Sequence, residues 1–193
     1  MDPARRLATY DDLLALPEDT RAEVIDGEIV VSPPPSPEHS NAHAELTHLI
    51  RGPFGGGDGR GGPGGWWIFI ELEIRFGRHQ IVRPDISGWR RERLPDPAAK
   101  HPIEVVPDWI CEILSPSNAK QDRFNKKALY KHYRVPFYWI VDPELRMLEA
   151  FQLDGDRWTE AGTHDETSVA RIAPFEEVEL EVGRLFLPKP KAP

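Results

Sequence analysis

Two carboxylates sit where the surrounding pattern predicts apolar side chains. Asp85 lies in "RPDIS", where Pro84 forces an extended backbone ahead of it. Glu112 lies in "WICEIL", residues 109–114, a run of bulky apolar residues that reads as a buried strand. An unpaired charge in such a run costs several kcal/mol or shifts its pKa until it neutralises. If the two strands are neighbours, the two side chains come within reach of one ion. Carboxylates that close repel each other, and a hard divalent cation such as Mg²⁺ or Mn²⁺ removes the conflict through oxygen ligation. The same positions also fit ion pairs with Arg83 or Arg123.

A helix-like stretch follows Glu112. Asp122, Lys126 and Tyr130 are spaced four apart, so they share one helical face. A Lys on that face, aimed at the strand, could neutralise charge developing on a phosphate. The competing reading is an exposed Asp122–Lys126 pair, worth a few tenths of a kcal/mol. Lys127 is the alternative cation, on another face. Glu23, in "RAEVIDGE", puts a charge on one side of an apolar strand. His43, in "NAHAEL", lies on a helix among Ala and Leu, where a hydrogen-bonded structural His is the ordinary case.

The elements that must position these groups are legible from periodicity. "ATYDDLLALPED" reads as a helix capped by Thr9 and stopped at Pro17. Asp26-Gly27 between apolar alternations signals a hairpin, closed by the extended "SPPPSP". Ala42, Leu46, Leu49 and Ile50 predict a helix over about residues 38–52, with Ser36 or Ser40 as cap. "GGGDGRGGPGG" lacks the Lys-Ser/Thr of a phosphate loop and reads as a linker. "WWIFIELEIRFG", "IVRPDISGW", "DWICEILS" and "PFYWIVDPE" read as four strands, the last one central, with the Lys126 helix before it. Asp154-Gly155 marks a further hairpin, and short strand pieces follow. The order predicts an α/β (α+β) domain with a mixed central β-sheet flanked by helices, an N-terminal helix and hairpin, and a C-terminal β extension. Residues 1–187 read as a single domain and 188–193 as a disordered tail.

Composition narrows the class. The chain has 193 residues, one Cys and a net charge of −8. Cys111 cannot form an intramolecular disulfide and sits in an apolar run, so a core role and a cytoplasmic setting are expected. The start "MDPARRLATYDD" has no apolar signal segment, and no apolar run approaches the roughly 20 residues that span a bilayer. The acidic balance weighs against a protein whose main task is coating nucleic acid. Local basic patches remain: Arg90 and Arg91 in "GWRRERLP", and Lys120, Arg123 and Lys127 around the Lys126 helix. The six Trp residues suit a core or an interface.

"AEVIDGEIVVSPPPSPEH", "VRPDIS" and "PDWICEILSPSNAKQDRFNKKALYKHYRVPFYWIVDPE" together resemble the Uma-type putative restriction endonuclease family, a branch of the PD-(D/E)XK nuclease superfamily. The segment from Pro107 to Glu144 is the most specific, with "LSPS" at 114–117, Asp122-x3-Lys126-x3-Tyr130, and Val141-Asp142-Pro143. The likeness covers roughly residues 7 to 187. It implies a restriction-endonuclease-like core and a site for one or two Mg²⁺ or Mn²⁺ ions. Asp85 carries over as the "PD" aspartate and metal ligand, Glu112 as the second acidic ligand and Glu23 as an additional one. The usual motif places its Lys two residues after the Glu, and that position is Leu114 here. The resemblance moves the Lys to the helix, as Lys126, with Asp122, Tyr130 and His43 as auxiliary residues. Arg134 stands where the family has Gly, a change expected to affect a helix cap.

The resemblance therefore implies a Mg²⁺-dependent endonuclease acting on DNA phosphodiesters, with a homodimer as the arrangement for cutting two strands. Two alternatives come from other classes: a non-catalytic binding or regulatory module on the same fold, and a hydrolase of a small phosphate ester.

Overall fold

The computed structural model describes residues 6–56, 62–115 and 125–189. The chain begins with α1 (Tyr10–Leu14), whose cap Thr9 shares a capping box with Asp12. The hairpin β1 (Ala22–Ile25) and β2 (Glu28–Val31) turns through Asp26 and Gly27, both at positive φ, 52° and 75°, as a tight two-residue turn requires. α2 (Pro37–Phe54) starts at Ser36, whose hydroxyl accepts the His39 N–H.

The two central runs do not form continuous strands. "WWIFIELEIRFG" breaks into β3 (Trp66–Ile70) and β4 (Ile74–Gly77), and "IVRPDISGW" into β5 (Gln80–Val82) and β6 (Ile86–Arg90). The breaks have local causes. Glu71 takes a left-handed backbone, with φ of 47°. Pro84, lacking an N–H, cannot join a ladder. The chain therefore changes sheets at both places. β4 and β5 join β1 and β2 in a four-stranded sheet of order β2-β1-β5-β4.

β3 and β6 belong to a six-stranded sheet with β7 (Trp109–Ile113), β8 (Phe137–Asp142), β9 (Met147–Asp154) and β10 (Arg157–Asp165), in the order β10-β9-β8-β7-β6-β3. Its pairs are antiparallel except β7 with β8. A parallel pair needs a crossover, and the connection carries α3 (Lys127–His132). β11 (Val169–Ala170) and β12 (Leu180–Glu181) form a small third sheet, followed by a 3-10 turn over Val182–Leu185.

At β7 and β8 both faces of the six-stranded sheet are buried, which is why these strands read as unbroken apolar runs. On one face Trp109, Cys111 and Ile113 pack with Ala42, Leu46, Ile50 and Phe54 of α2. On the other, Ile110 and Leu114 pack with Tyr130 of α3 and with Tyr138 and Ile140. Alternation therefore points Glu112 to the α3 face. Four of the six Trp residues, Trp66, Trp89, Trp109 and Trp139, are at most 1% exposed and build the core. No helix among the described residues is long and apolar enough to cross a membrane.

Candidate active site

β6 and β7 run antiparallel with Ile86 opposite Cys111. The next positions outward are Asp85 and Glu112. Both line one cleft, together with Glu23, His39 and Lys126. These five ionisable groups are buried: Glu112 is 2% exposed, Glu23, His39 and Lys126 are 5%, and Asp85 is 7%.

Each has partners. The Lys126 ammonium lies 3.1 Å from Glu112 Oε1 and 3.0 Å from Glu23 Oε2. Tyr130, one helical turn on, donates its hydroxyl to the same Glu112 Oε1 at 2.5 Å. The exposed-pair reading of Lys126 fails because the side chain turns inward. Glu23 Oε1 accepts the backbone N–H of Arg83 at 2.7 Å. Asp85 Oδ2 accepts the Ile113 N–H at 2.7 Å, and Oδ1 lies 3.1 Å from His39 Nε2. Burial pushes the Asp85 carboxyl up. Hydrogen bonds from His39 and Ile113, with the His39 and Lys126 charges, outweigh it and hold Asp85 below its ordinary value. Burial, then the charges of Glu112 and Glu23, push the Tyr130 phenol well above its ordinary value, so it stays a donor. The same burial raises Cys111, which is an inert core thiol.

The donor set suits a hard divalent cation. Asp85, just ahead of β6, and Glu112, in β7, both line the cleft, and Asp85 is held in its ionised form. Among the described residues no group of three or more His, Cys, Asp and Glu side chains is gathered to hold a metal. A cage is not needed for Mg²⁺, which is commonly held by one or two carboxylates plus water and substrate phosphate.

Other expected residues fall elsewhere. His43 does not line the cleft. It packs edge-on against His39, with ring centroids 6.1 Å apart, and its buried Nε2 has no hydrogen-bond partner among the described residues. The histidine that touches Asp85 is His39, which sequence reasoning passed over. Its signal was the four-residue spacing to His43, which puts it on the same face one turn nearer the strand ends. Arg90 and Arg91 stack over Trp66 and Trp67 at 4.3 and 3.8 Å from the ring centres, and Lys127 lies 3.2 Å over Phe151. None of the three lines the cleft, whereas Arg21 and Arg83 do. The guanidinium of Arg83 bonds Glu71 rather than Asp85 or Glu112. Lys120, Asp122 and Arg123 lie outside the described residues.

Comparison with known proteins identifies the family and the fold. The family model Uma2, described as "Putative restriction endonuclease", matches residues 7–183. No curated protein matches the chain. A crystal structure from Anabaena variabilis, described as a putative nuclease belonging to DUF820, superposes with a TM-score of 0.68 at 26% identity, covering 92% of this chain and 96% of that one. Matched over residues 7–183, the chain belongs to the Uma2 family of putative restriction endonucleases.

Proposed function

We propose that the protein is a divalent-metal-dependent endonuclease that hydrolyses DNA phosphodiester bonds. The observation that carries this reading is the cleft in which adjacent buried carboxylates, Asp85 and Glu112, meet the Lys126 ammonium. Family membership and the nuclease described for the Anabaena protein support it.

Asp85 and Glu112 would hold Mg²⁺ or Mn²⁺. A cation held there would supply Lewis-acid polarisation of a phosphate oxygen toward attack by water. The remaining work belongs to the chain. His39 and the Ile113 amide fix the Asp85 carboxylate in one orientation. Tyr130 fixes Glu112. Lys126 offers a buried positive charge to the phosphate oxygens as negative charge develops on them, in surroundings where such a charge acts strongly. Glu23 holds Lys126 from the opposite side, and a ligand role for Glu23 would require it to release that ammonium. A homodimer would present one site to each strand of a duplex.

Nicking of a supercoiled plasmid tests the reading. The wild type should cut with Mn²⁺ and stop with EDTA, and Glu112→Gln should not cut. Cutting that survives EDTA, or equal cutting by folded Glu112→Gln, contradicts it. Plasmid binding without cutting would instead favour a non-catalytic module.

A further inference from the structure

We infer that Arg21 and Arg83, held together by Glu71 on the wall of the cleft, clamp a phosphate of the substrate strand next to the one that is cut. The inference rests on the nuclease reading and names how the strand is held.

Glu71 is the node. One of its oxygens pairs with Arg21 and the other with Arg83, at 3.2 Å for Arg83. Its carbonyl accepts the Arg83 Nε–H at 3.0 Å, and its own N–H donates to the Asp85 carbonyl at 3.0 Å. Arg83 is tied to the site a second time, because its backbone N–H donates to Glu23. The pair of guanidinium groups is thus registered to the carboxylates that would hold the metal. Glu71 adopts its left-handed backbone to make these bonds. A non-glycine residue persists in that region when its surroundings over-determine it, commonly at ligand clamps.

The charges favour an anion. Two guanidinium groups share one carboxylate, so the trio carries +1 beside an acidic site. Neither arginine is sealed: the side chains are 30% and 32% exposed. Their Nη1 nitrogens make no hydrogen bond among the described residues. Planar guanidinium forks match phosphate oxygens. Pro33, Pro34 and Pro35 also line the cleft, apolar rings with no competing charge. Arg21 and Arg83 line the same cleft as Asp85 and Glu112, so a strand in that cleft would meet both groups.

The test is fluorescence anisotropy of a labelled DNA duplex in EDTA, so that no strand is cut, over a range of salt. Arg21→Gln and Arg83→Gln should each bind about tenfold more weakly. Each should also lower the log–log salt slope by about 0.9, the value of one duplex phosphate contact. Glu71→Gln keeps a side-chain oxygen and the backbone carbonyl that orient the guanidinium groups and removes only the competing charge, so it should bind at least as tightly as wild type. Arg157→Gln, on exposed β10, should bind as wild type does. If both arginine variants are folded by circular dichroism and bind like wild type, the clamp is overturned while the nuclease reading stands. If Glu71→Gln weakens binding as much as the arginine changes do, the trio is a structural brace and the clamp is again overturned. If the wild type binds no DNA at any salt, the clamp is overturned, and the Mn²⁺-dependent nicking assay decides the nuclease reading separately.

Discussion

Lys126 Nζ and Glu112 Oε1 lie 3.1 Å apart, both almost fully buried, in a cleft they share with Asp85. The ammonium comes from the start of α3 and the carboxylate from the middle of a core strand. Their meeting explains how a charge is tolerated in "WICEIL". Removing one partner of a buried pair leaves the other uncompensated. Lys126→Met should therefore lower stability by about 3–5 kcal/mol and abolish plasmid nicking. Urea unfolding and the nicking assay read the two effects separately. A stable Lys126→Met protein that still cuts at the wild-type rate would remove Lys126 from the account.

Tyr130 stabilises the same carboxylate by another route. Tyr130→Phe deletes one hydrogen bond to a charged group and should cost about 1.5–3 kcal/mol. Because burial and the neighbouring carboxylates push its phenol well above the ordinary value of 10.0, Tyr130 should remain protonated in a spectroscopic titration through pH 10. Its ionisation should then appear only with unfolding.

Asp85 makes stability depend on pH at the acid end. Its folded pKa lies below the ordinary 3.8, so folding favours the ionised form. The stability it contributes is present above 3.8 and is lost as pH falls through the lower folded value. Asp85→Asn should lose less stability than wild type between neutral and acid pH. Urea midpoints on both sides of pH 3.8 would measure the difference, and equal slopes would count against the His39 and Ile113 contacts as its cause.

Gly88 tests the sheet that carries the site. A Cβ there would stand 3.1 Å from Ile68, 3.2 Å from Trp109 and 3.3 Å from Trp66. Gly88→Ala should cost about 1–3 kcal/mol through overpacking, seen as a lower thermal midpoint.

Local signals carried much of this architecture. Thr9, the Asp26-Gly27 turn, Ser36 and the apolar runs of β7 and β8 each have a short-range physical cause, and each forms where periodicity places it. Arg134 also behaves as its position suggests, ending α3 with a left-handed φ of 63° where glycine is at ease. What was not legible depends on tertiary placement. Alternation alone carried "WWIFIELEIRFG" through Glu71 as one strand, and only the partners of Glu71 explain its turn. His39 and His43 are equivalent by spacing, and the docking of α2 decides that His39 reaches Asp85. Arg90 and Arg91 look like a nucleic-acid patch in sequence, but adjacent tryptophans on β3 supply the faces they cover. Arg21 and Arg83 lie 62 residues apart and meet only because β1 and β5 pair.

The most direct measurement of the central claim is anomalous scattering from crystals soaked in Mn²⁺. A metal peak between the Asp85 and Glu112 carboxylates in the wild type, lost in Glu112→Gln, is the predicted result. No peak in the cleft, or a peak of equal strength in Glu112→Gln, would contradict it.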